Sequence, residues 1–227
     1  MMNAPHPPPT PAFVAEDVYR LYLDGLLTNN REQCRQCFQQ WLDAEPDLLS
    51  LYEDLVQRAL YDVGDLWERN RISVATEHLA TAISESLLNL AYPRLFATPR
   101  NGQSALVTCA ANEHHQIGGK MVADLFEFHG WRGCFLGANT PLRDVLALVG
   151  EKWADVVALS VAMTSGLADV IDAATAIRTA FPAVPILVGG QARRWGGRER
   201  VERVPGVRCL ASLRDLTIWL KENENHD

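Results

Sequence analysis

The chain has 227 residues, of which 48% are hydrophobic and 22% charged, and its formal net charge at pH 7 is -7. This length and apolar content suffice for one large or two small globular domains. The negative charge argues against a nucleic-acid backbone as the main partner, because phosphate binding requires clustered lysine and arginine.

Residues 1–12 contain several prolines and lack the apolar core of a signal peptide, which predicts a disordered leader. Five cysteines in a chain without an export signal indicate reduced thiols and not a disulfide framework. No apolar run approaches the length that spans a bilayer. We therefore expect a cytoplasmic protein that binds neither nucleic acid directly nor a membrane.

Residues 13–97 show helical periodicity with few glycines, which predicts an antiparallel four-helix bundle. The first helix is predicted to end near Gly25, and Asn30 can cap the second. Pro46 suits the first turn of the third helix, and Ser73 can cap the fourth. The apolar positions assigned to the fourth helix are Leu79, Ile83, Leu87 and Leu90.

Residues 98–227 alternate strand-like and helix-like runs. This alternation, with Val- and Leu-rich central strands, predicts a doubly wound α/β domain whose five-stranded parallel sheet has a flavodoxin-like, Rossmann-like order. Strands are predicted at 105–109, 132–136, 156–161, 186–188 and 207–210. The helices are predicted to begin near His115, Pro141, Ala168, Arg194 and Leu213.

The loop after the first strand contains Glu113, His114, His115 and, three residues further, Gly118. Such a loop lies at the carboxyl edge of the sheet, where open α/β sheets bind ligands. Glu113 can accept the ring N–H of His115, and such a carboxylate–histidine pair fixes the tautomer that a metal ligand needs. Two adjacent histidines considered alone are more often ordinary surface residues.

The spacing of later features makes this loop more informative. Forty-one residues separate Gly118 from Ser160, and twenty-six separate Ala162 from the pair Gly189-Gly190. This spacing resembles that of the vitamin B12-binding family, whose pattern is Asp-x-His-x-x-Gly, about 41 residues, Ser-x-Leu, about 26 residues, Gly-Gly. The chain departs from that pattern at two positions, with Glu113 in place of Asp and Ala162 in place of Leu.

In that family a histidine binds the cobalt of cobalamin from below, in place of the cofactor's own dimethylbenzimidazole. The resemblance implies that His115 is this metal ligand and that Glu113 supports it. It also implies that a nucleotide tail enters near the later loops and that residues 136–141 form a rim under the corrin. The further residues implied in cofactor binding are Gly118, Asn139, Ser160, Thr164, Gly189 and Gly190.

The helical half contains Trp67 and, after nine intervening residues, the pair Glu77-His78. Considered alone, such a Trp usually packs in a core, and such a Glu usually interacts favourably with the helix dipole. Their order resembles the cap of CarH/LitR-type light-dependent regulators, in which a bundle covers the upper face of adenosylcobalamin. The resemblance implies that Trp67, Glu77 and His78 bind the cofactor there. Some of those regulators have a second cobalt-binding histidine where this chain has Glu68.

These resemblances support two functional hypotheses. The first is a photoreceptor that binds adenosylcobalamin, is not an enzyme, lacks the regulators' DNA-binding domain, and signals through a protein partner or a homo-oligomer. The second is a corrinoid methyl carrier of a methyltransferase system, with methylcobalamin as its cofactor. A cobalamin- or haem-sensing module that does not respond to light is a third alternative.

Two other patterns carry weaker signals. Cys34 and Cys37 have the spacing of zinc ligands, but they lie in a helical pattern without a second pair, which favours an ordinary helix. Residues 193–200 contain four arginines and a tryptophan. We interpret this run as a solvated loop and helix start, with a docking patch as the less favoured alternative.

Overall fold

The structure, a computed structural model, describes residues 15–44, 47–192 and 196–223. The predicted leader, Pro46 and the predicted helix start at Arg194 lie outside these ranges. The chain divides into two compact units, Met1–Leu87 and Leu88–Asp227. This division falls earlier in the chain than the domain boundary predicted after residue 97.

The described part of the first unit contains the four predicted helices. They are α1 (Ala15–Leu27), α2 (Arg31–Ala44), α3 (48–68, with the π-helical segment Leu51–Gln57) and α4 (Val74–Leu88). Two predicted caps are confirmed. The Asn30 side-chain oxygen accepts a hydrogen bond from the Gln33 backbone N–H at 3.1 Å. The Ser73 hydroxyl accepts one from the Thr76 backbone N–H at 3.1 Å.

The first helix ends at Leu27, two residues beyond the predicted Gly25, and Asn29 in the following turn has a left-handed φ of 55°. Gly25 allows close packing of α1 on α2, because a Cβ there would lie 2.8 Å from the Cys34 Sγ. Cys34 and Cys37 are buried in α2, which agrees with an ordinary helix and not a zinc site.

Of the apolar positions predicted for the fourth helix, Ile83 and Leu87 are buried, whereas Leu79 is 47% and Leu90 37% exposed. The buried face of α4 also includes Ser84, whose Oγ accepts a hydrogen bond of 2.9 Å from the Tyr22 hydroxyl of α1. A buried hydroxyl pair of this kind must stay paired, since an unpaired partner would lose its hydration without compensation.

The second unit contains a five-stranded, all-parallel sheet of order β2-β1-β3-β4-β5, which confirms the flavodoxin-like prediction. The register pairs Cys109 with Ser160 and Ser160 with Gly189. The loops that follow the three central strands therefore leave the sheet side by side. The strands are β1 (Ser104–Cys109), β2 (Arg132–Phe135), β3 (Val156–Ser160), β4 (Ile186–Gly189) and β5 (Val207–Cys209).

Helices alternate with these strands, as the sequence predicts. They are α5 (Ile117–Phe128), α6 (Leu142–Leu148, continued by the π-helical turn Val149–Trp153), α7 (Leu167–Ala180), α8 (Gly197–Val201) and α9 (Leu213–Asn223). Helix α9 packs on α5 through three aromatic rings, of which Phe126 and Trp219 have centroids 6.3 Å apart and Trp131 and Trp219 have centroids 5.8 Å apart. In the described ranges, every helix is too short or too polar to cross a membrane.

The hydrogen bond between Tyr22 and Ser84 makes a testable prediction for the helical unit. We expect Tyr22→Phe to lower the free energy of unfolding by about 1–2 kcal/mol, because Ser84 then stays buried without this donor. The double variant Tyr22→Phe/Ser84→Ala should lose less than the sum of the two single losses. Urea unfolding followed by circular dichroism measures both. Tyr92→Phe, at a ring that is 53% exposed, is the control and should change stability by less than about 0.5 kcal/mol.

Candidate functional site

The loop between β1 and α5 contains an exposed histidine that is paired with a buried carboxylate. Asn112 has a left-handed φ of 59°, and the Glu113 backbone N–H closes a turn onto the Ala110 carbonyl at 3.1 Å. The Glu113 side chain is only 2% exposed, whereas the His115 side chain is 45% exposed. The chain thus buries the carboxylate and leaves the imidazole accessible at the carboxyl edge of the sheet.

Each carboxylate oxygen of Glu113 accepts two hydrogen bonds. Oε1 accepts from the His115 ring Nδ1 at 2.6 Å and from the His115 backbone N–H at 2.9 Å. Oε2 accepts from the backbone N–H groups of Ala162 at 2.8 Å and Met163 at 3.0 Å. When Nδ1 donates to Glu113, the lone pair of neutral His115 is on Nε2, which is the form that binds a metal.

The electrostatics of Glu113 favour its ionised form. Burial alone raises its pKa, but the hydrogen bonds from His115, Met163 and Ala162 outweigh burial and lower the pKa to about 2. A permanently charged, fixed carboxylate increases the electron density on the imidazole that it holds. The Glu113–His115 contact expected from the sequence is therefore present, and it includes the β3 loop as a second partner.

Ser160, Gly118 and Gly189 lie at the same edge of the sheet as this pair. Ser160 is 8% exposed, and its hydroxyl has no hydrogen-bond partner in the ranges that the structure describes. A Cβ on Gly118 would lie 3.7 Å from the Ser160 Oγ, and a Cβ on Gly189 would meet no atom within 4 Å. A polar group with no partner next to open space suits a ligand that brings its own hydrogen-bonding atoms.

Gly190 is required by the local backbone, while its predicted contact with the cofactor stays a prediction. Its φ is 116°, and a Cβ there would lie 2.1 Å from the Val161 carbonyl oxygen. The same carbonyl accepts a hydrogen bond from the Ala192 backbone N–H at 3.3 Å. Gly190 is thus required for the close approach of two backbone segments, whereas the space beside Gly189 is open.

Two further predicted residues lie on neighbouring loops. Asn139, with a left-handed φ of 54°, accepts a hydrogen bond from the Asn112 backbone N–H through its Oδ1 at 3.1 Å. It therefore ties the β2 loop to the loop that carries His115, a role that the sequence did not predict. Thr164 is exposed and begins the short helical turn Thr164–Gly166, directly after Met163.

The remaining predicted residues belong to the helical unit. Trp67 lies in the last turn of α3 and is 36% exposed. Glu77 and His78 lie in the first turns of α4, where the His78 Nδ1 is 2.5 Å from the Glu77 Oε2. The other oxygen, Oε1, accepts from the Thr81 hydroxyl at 3.0 Å. The structure thus pairs Glu77 with His78 and leaves the imidazole 72% exposed.

The donor set restricts which metal compound could bind at His115. In the described ranges, no group of three or more His, Cys, Asp or Glu side chains is arranged to hold a metal ion. His115 offers a single nitrogen ligand, which fits a metal that brings its other ligands in a macrocycle, such as the cobalt of a corrin.

Comparisons with known proteins identify the family of the chain. Two sequence-family models, each described as a B12 binding domain, match residues 18–92 and 103–209. The chain therefore belongs to the B12-binding domain family. It is a cobalamin-binding protein that combines a helical unit with a flavodoxin-like sheet.

Two curated relatives come from Myxococcus xanthus. The HTH-type transcriptional repressor CarA is 34% identical over 155 residues, which are 66% of this chain and 51% of that protein. The HTH-type transcriptional repressor CarH is 30% identical over 148 residues, which are 64% of this chain and 48% of that protein. The chain thus spans about half the length of the curated relatives that it matches.

A solved structure shares the fold. The Methanosarcina barkeri monomethylamine corrinoid protein superposes with a TM-score of 0.77 over 92% of this chain and 100% of that protein, at 16% sequence identity. The similarity in fold confirms the architecture of a helical region followed by a parallel sheet.

The low pKa of Glu113 predicts a pH-dependent contribution to stability. An acid with a lowered folded-state pKa stabilises the fold above its unfolded pKa, and the stabilisation is lost as the pH falls towards the folded value of about 2. Glu113→Gln should therefore lower the unfolding free energy at pH 7 by about 2–3 kcal/mol. The deficit should shrink between about pH 4.5 and pH 2.5.

Urea unfolding of the cofactor-free protein at several pH values measures this deficit. The control is Glu151→Gln, which changes an exposed carboxylate after α6 and should leave stability unchanged within about 0.5 kcal/mol. A deficit of the same size at pH 7 and pH 3 would show that Glu113 acts through its shape and not through its charge.

Alanine substitutions at the two adjacent glycines are expected to affect different properties, stability at Gly190 and cobalamin affinity at Gly189. Gly190→Ala should destabilise the cofactor-free protein by about 3 kcal/mol or more, because the new Cβ meets the Val161 backbone at a φ that alanine avoids. Gly189→Ala should fold almost normally but bind cobalamin about tenfold or more weakly, which is about 1.4 kcal/mol. Thermal unfolding and absorbance titration with cobalamin measure the two effects. Normal cobalamin affinity in Gly189→Ala would place the ligand elsewhere.

Proposed function

We propose that this protein is a light sensor that binds adenosylcobalamin and passes the signal to a protein partner or to a second copy of itself. The observation that carries the proposal is the exposed His115 imidazole, held by a buried, ionised Glu113 in a chain related to the CarA and CarH repressors. When bound, adenosylcobalamin supplies a cobalt–carbon bond that visible light breaks.

The sheet unit contributes the lower side of the proposed site. His115 binds the cobalt through Nε2 while Glu113 fixes the ring through Nδ1. Ser160, Gly118 and Gly189 receive the nucleotide tail, which is supported by the unpartnered hydroxyl and the open space beside it. Thr164 and Asn139 lie on the adjacent loops, where Asn139 holds the His115 loop in position.

The helical unit contributes the response to the upper ligand. Trp67 offers an exposed aromatic face, and the Glu77–His78 pair offers a carboxylate and an imidazole in contact with each other. We propose that these three side chains contact the adenosyl group in the dark and lose it in the light. A ligand biases a conformational equilibrium only through contacts that it makes in one state, so these residues decide the size of the response.

The alternative is a corrinoid methyl carrier that binds methylcobalamin and serves a methyltransferase. The specific observation in its favour is the shared fold with the monomethylamine corrinoid protein. A carrier needs an upper face that admits a partner's active site, and the contacts proposed above for Trp67, Glu77 and His78 with the upper ligand argue against such access. Selective retention of adenosylcobalamin in darkness favours the sensor, whereas methyl transfer to a thiol or pterin acceptor favours the carrier.

The test is an absorption spectrum of the protein loaded with adenosylcobalamin in darkness, before and after green light, with size-exclusion chromatography of both samples. We expect the spectrum to change on illumination and the size distribution to change with it. His115→Ala should weaken cobalamin binding about tenfold or more and alter the dark spectrum, because the axial nitrogen is lost. The matched control is His114→Ala, which removes an exposed neighbouring imidazole.

Each readout tests a different part of the proposal. Identical spectra in light and dark would contradict the sensor function but not cobalamin binding. Equal effects of the His115 and His114 variants would contradict the assignment of the axial ligand. Trp67→Ala should leave His115 ligation intact but retain adenosylcobalamin less well in darkness than the wild-type protein does. Equal retention of adenosylcobalamin and methylcobalamin by the wild-type protein in darkness would contradict the role given to Trp67.

A further inference from the structure

An open cavity of about 530 Å³ lies in the sheet unit away from the His115 loop. Its position follows from the direction of α7, which starts after the carboxyl end of β3 and returns to the amino end of β4. The later turns of α7 and the chain from α8 to β5 line this cavity. We call it the arginine groove, and its lining residues are Ile171, Thr175, Arg178, Thr179, Arg200, Arg203, Val204 and Pro205.

The lining includes three arginines and no acidic residue. Arg178 is held rigidly, because its Nε donates to the Pro205 carbonyl at 2.9 Å and its Nη2 to the Gly206 carbonyl at 2.8 Å. These carbonyls are neutral, so the positive charge of Arg178 is fixed beside the groove without being neutralised. The protein as a whole carries a formal charge of -7, which makes this local excess of positive charge distinctive.

Arg200 and Arg203 are exposed, and in the described ranges neither forms an ion pair. Their neighbours behave differently: Arg198 pairs with Glu202 at 2.8 Å and Arg208 with Glu222 at 2.9 Å. The two guanidinium groups at the groove therefore retain their donors for an external anion. A guanidinium binds a carboxylate with two parallel hydrogen bonds, which gives such a contact direction as well as charge.

The rest of the lining indicates what accompanies the anion. Ile171, Val204 and Pro205 present apolar surface between the charges. The hydroxyls of Thr175 and Thr179 donate to carbonyls one turn earlier in α7, at 2.7 and 2.8 Å, so they add no donor for the anion. The groove thus combines guanidinium groups with an apolar floor, which suits an extended segment that carries both carboxylates and an aliphatic side chain.

We propose that the arginine groove binds an acidic peptide segment of a protein partner, with carboxylates on Arg200 and Arg203 and an aliphatic side chain against Ile171 and Val204. The argument is charge complementarity together with this apolar floor. The binding requires neither cobalamin nor light, so the proposal is independent of the function proposed above. It also gives a role to part of the basic run at 193–200, of which residues 193–195 lie outside the described ranges.

The test uses the full chain and a fluorescein-labelled peptide of alternating glutamate and leucine, with fluorescence anisotropy as the readout. The double variant Arg200→Glu/Arg203→Glu should weaken binding at least about tenfold. The matched control is Arg35→Glu/Arg143→Glu, which changes net charge equally at two exposed arginines outside the groove and should weaken binding less than about threefold. Equal affinity of the groove variant and the wild type would overturn the proposal.

A charge-neutral variant separates shape from charge. Thr175→Trp places a large ring at an exposed lining position, and it should weaken peptide binding at least about fivefold because the ring occupies the groove. Circular dichroism and cobalamin titration confirm that each variant is folded. A peptide with lysine in place of glutamate should not bind. Displacement of the acidic peptide by inorganic phosphate at constant ionic strength would indicate a small-anion site and overturn the peptide assignment.

Discussion

The carboxylate of Glu113 is the constraint on which the candidate site depends. It is buried and ionised, and it divides four hydrogen bonds between its own loop and the loop after β3. A buried charge is tolerated only when its hydrogen-bonding capacity is filled, so the two loops hold each other in one arrangement. The orientation of His115 is therefore decided by the packing of the whole sheet edge and not by its loop alone.

The Glu113 side chain joins two loops of the sheet edge. One of its oxygens accepts from His115, while the other accepts from the backbone N–H groups of Ala162 and Met163. Met163 leads directly into the turn Thr164–Gly166 and then into α7. His115 is thus linked through the Glu113 side chain to the start of a helix whose far end lines the arginine groove.

Backbone geometry shapes the rest of the edge. Asn112 and Asn139 both have left-handed φ values, and Asn139 is bonded to the backbone of Asn112. Such conformations cost free energy and persist where the surrounding structure determines them. Gly190 extends this pattern, because only glycine allows its backbone to cross that of Val161. The fixed loops leave Ser160 and Gly189 beside open space, which is the arrangement expected of a preformed ligand site.

The sequence by itself determined the helical first part, the alternating strands and helices of the second part and the proximity of Glu113 to His115, because hydrophobic periodicity and short motifs are local properties. Tertiary structure alone decided that Ser84 of α4 is buried, since its hydrogen bond with Tyr22 joins residues far apart in the chain. It likewise decided the separate roles of Gly189 and Gly190. The partners of Glu113 on the β3 loop and the clustering of Arg178, Arg200 and Arg203 also arise only when distant segments pack together, which no local pattern encodes.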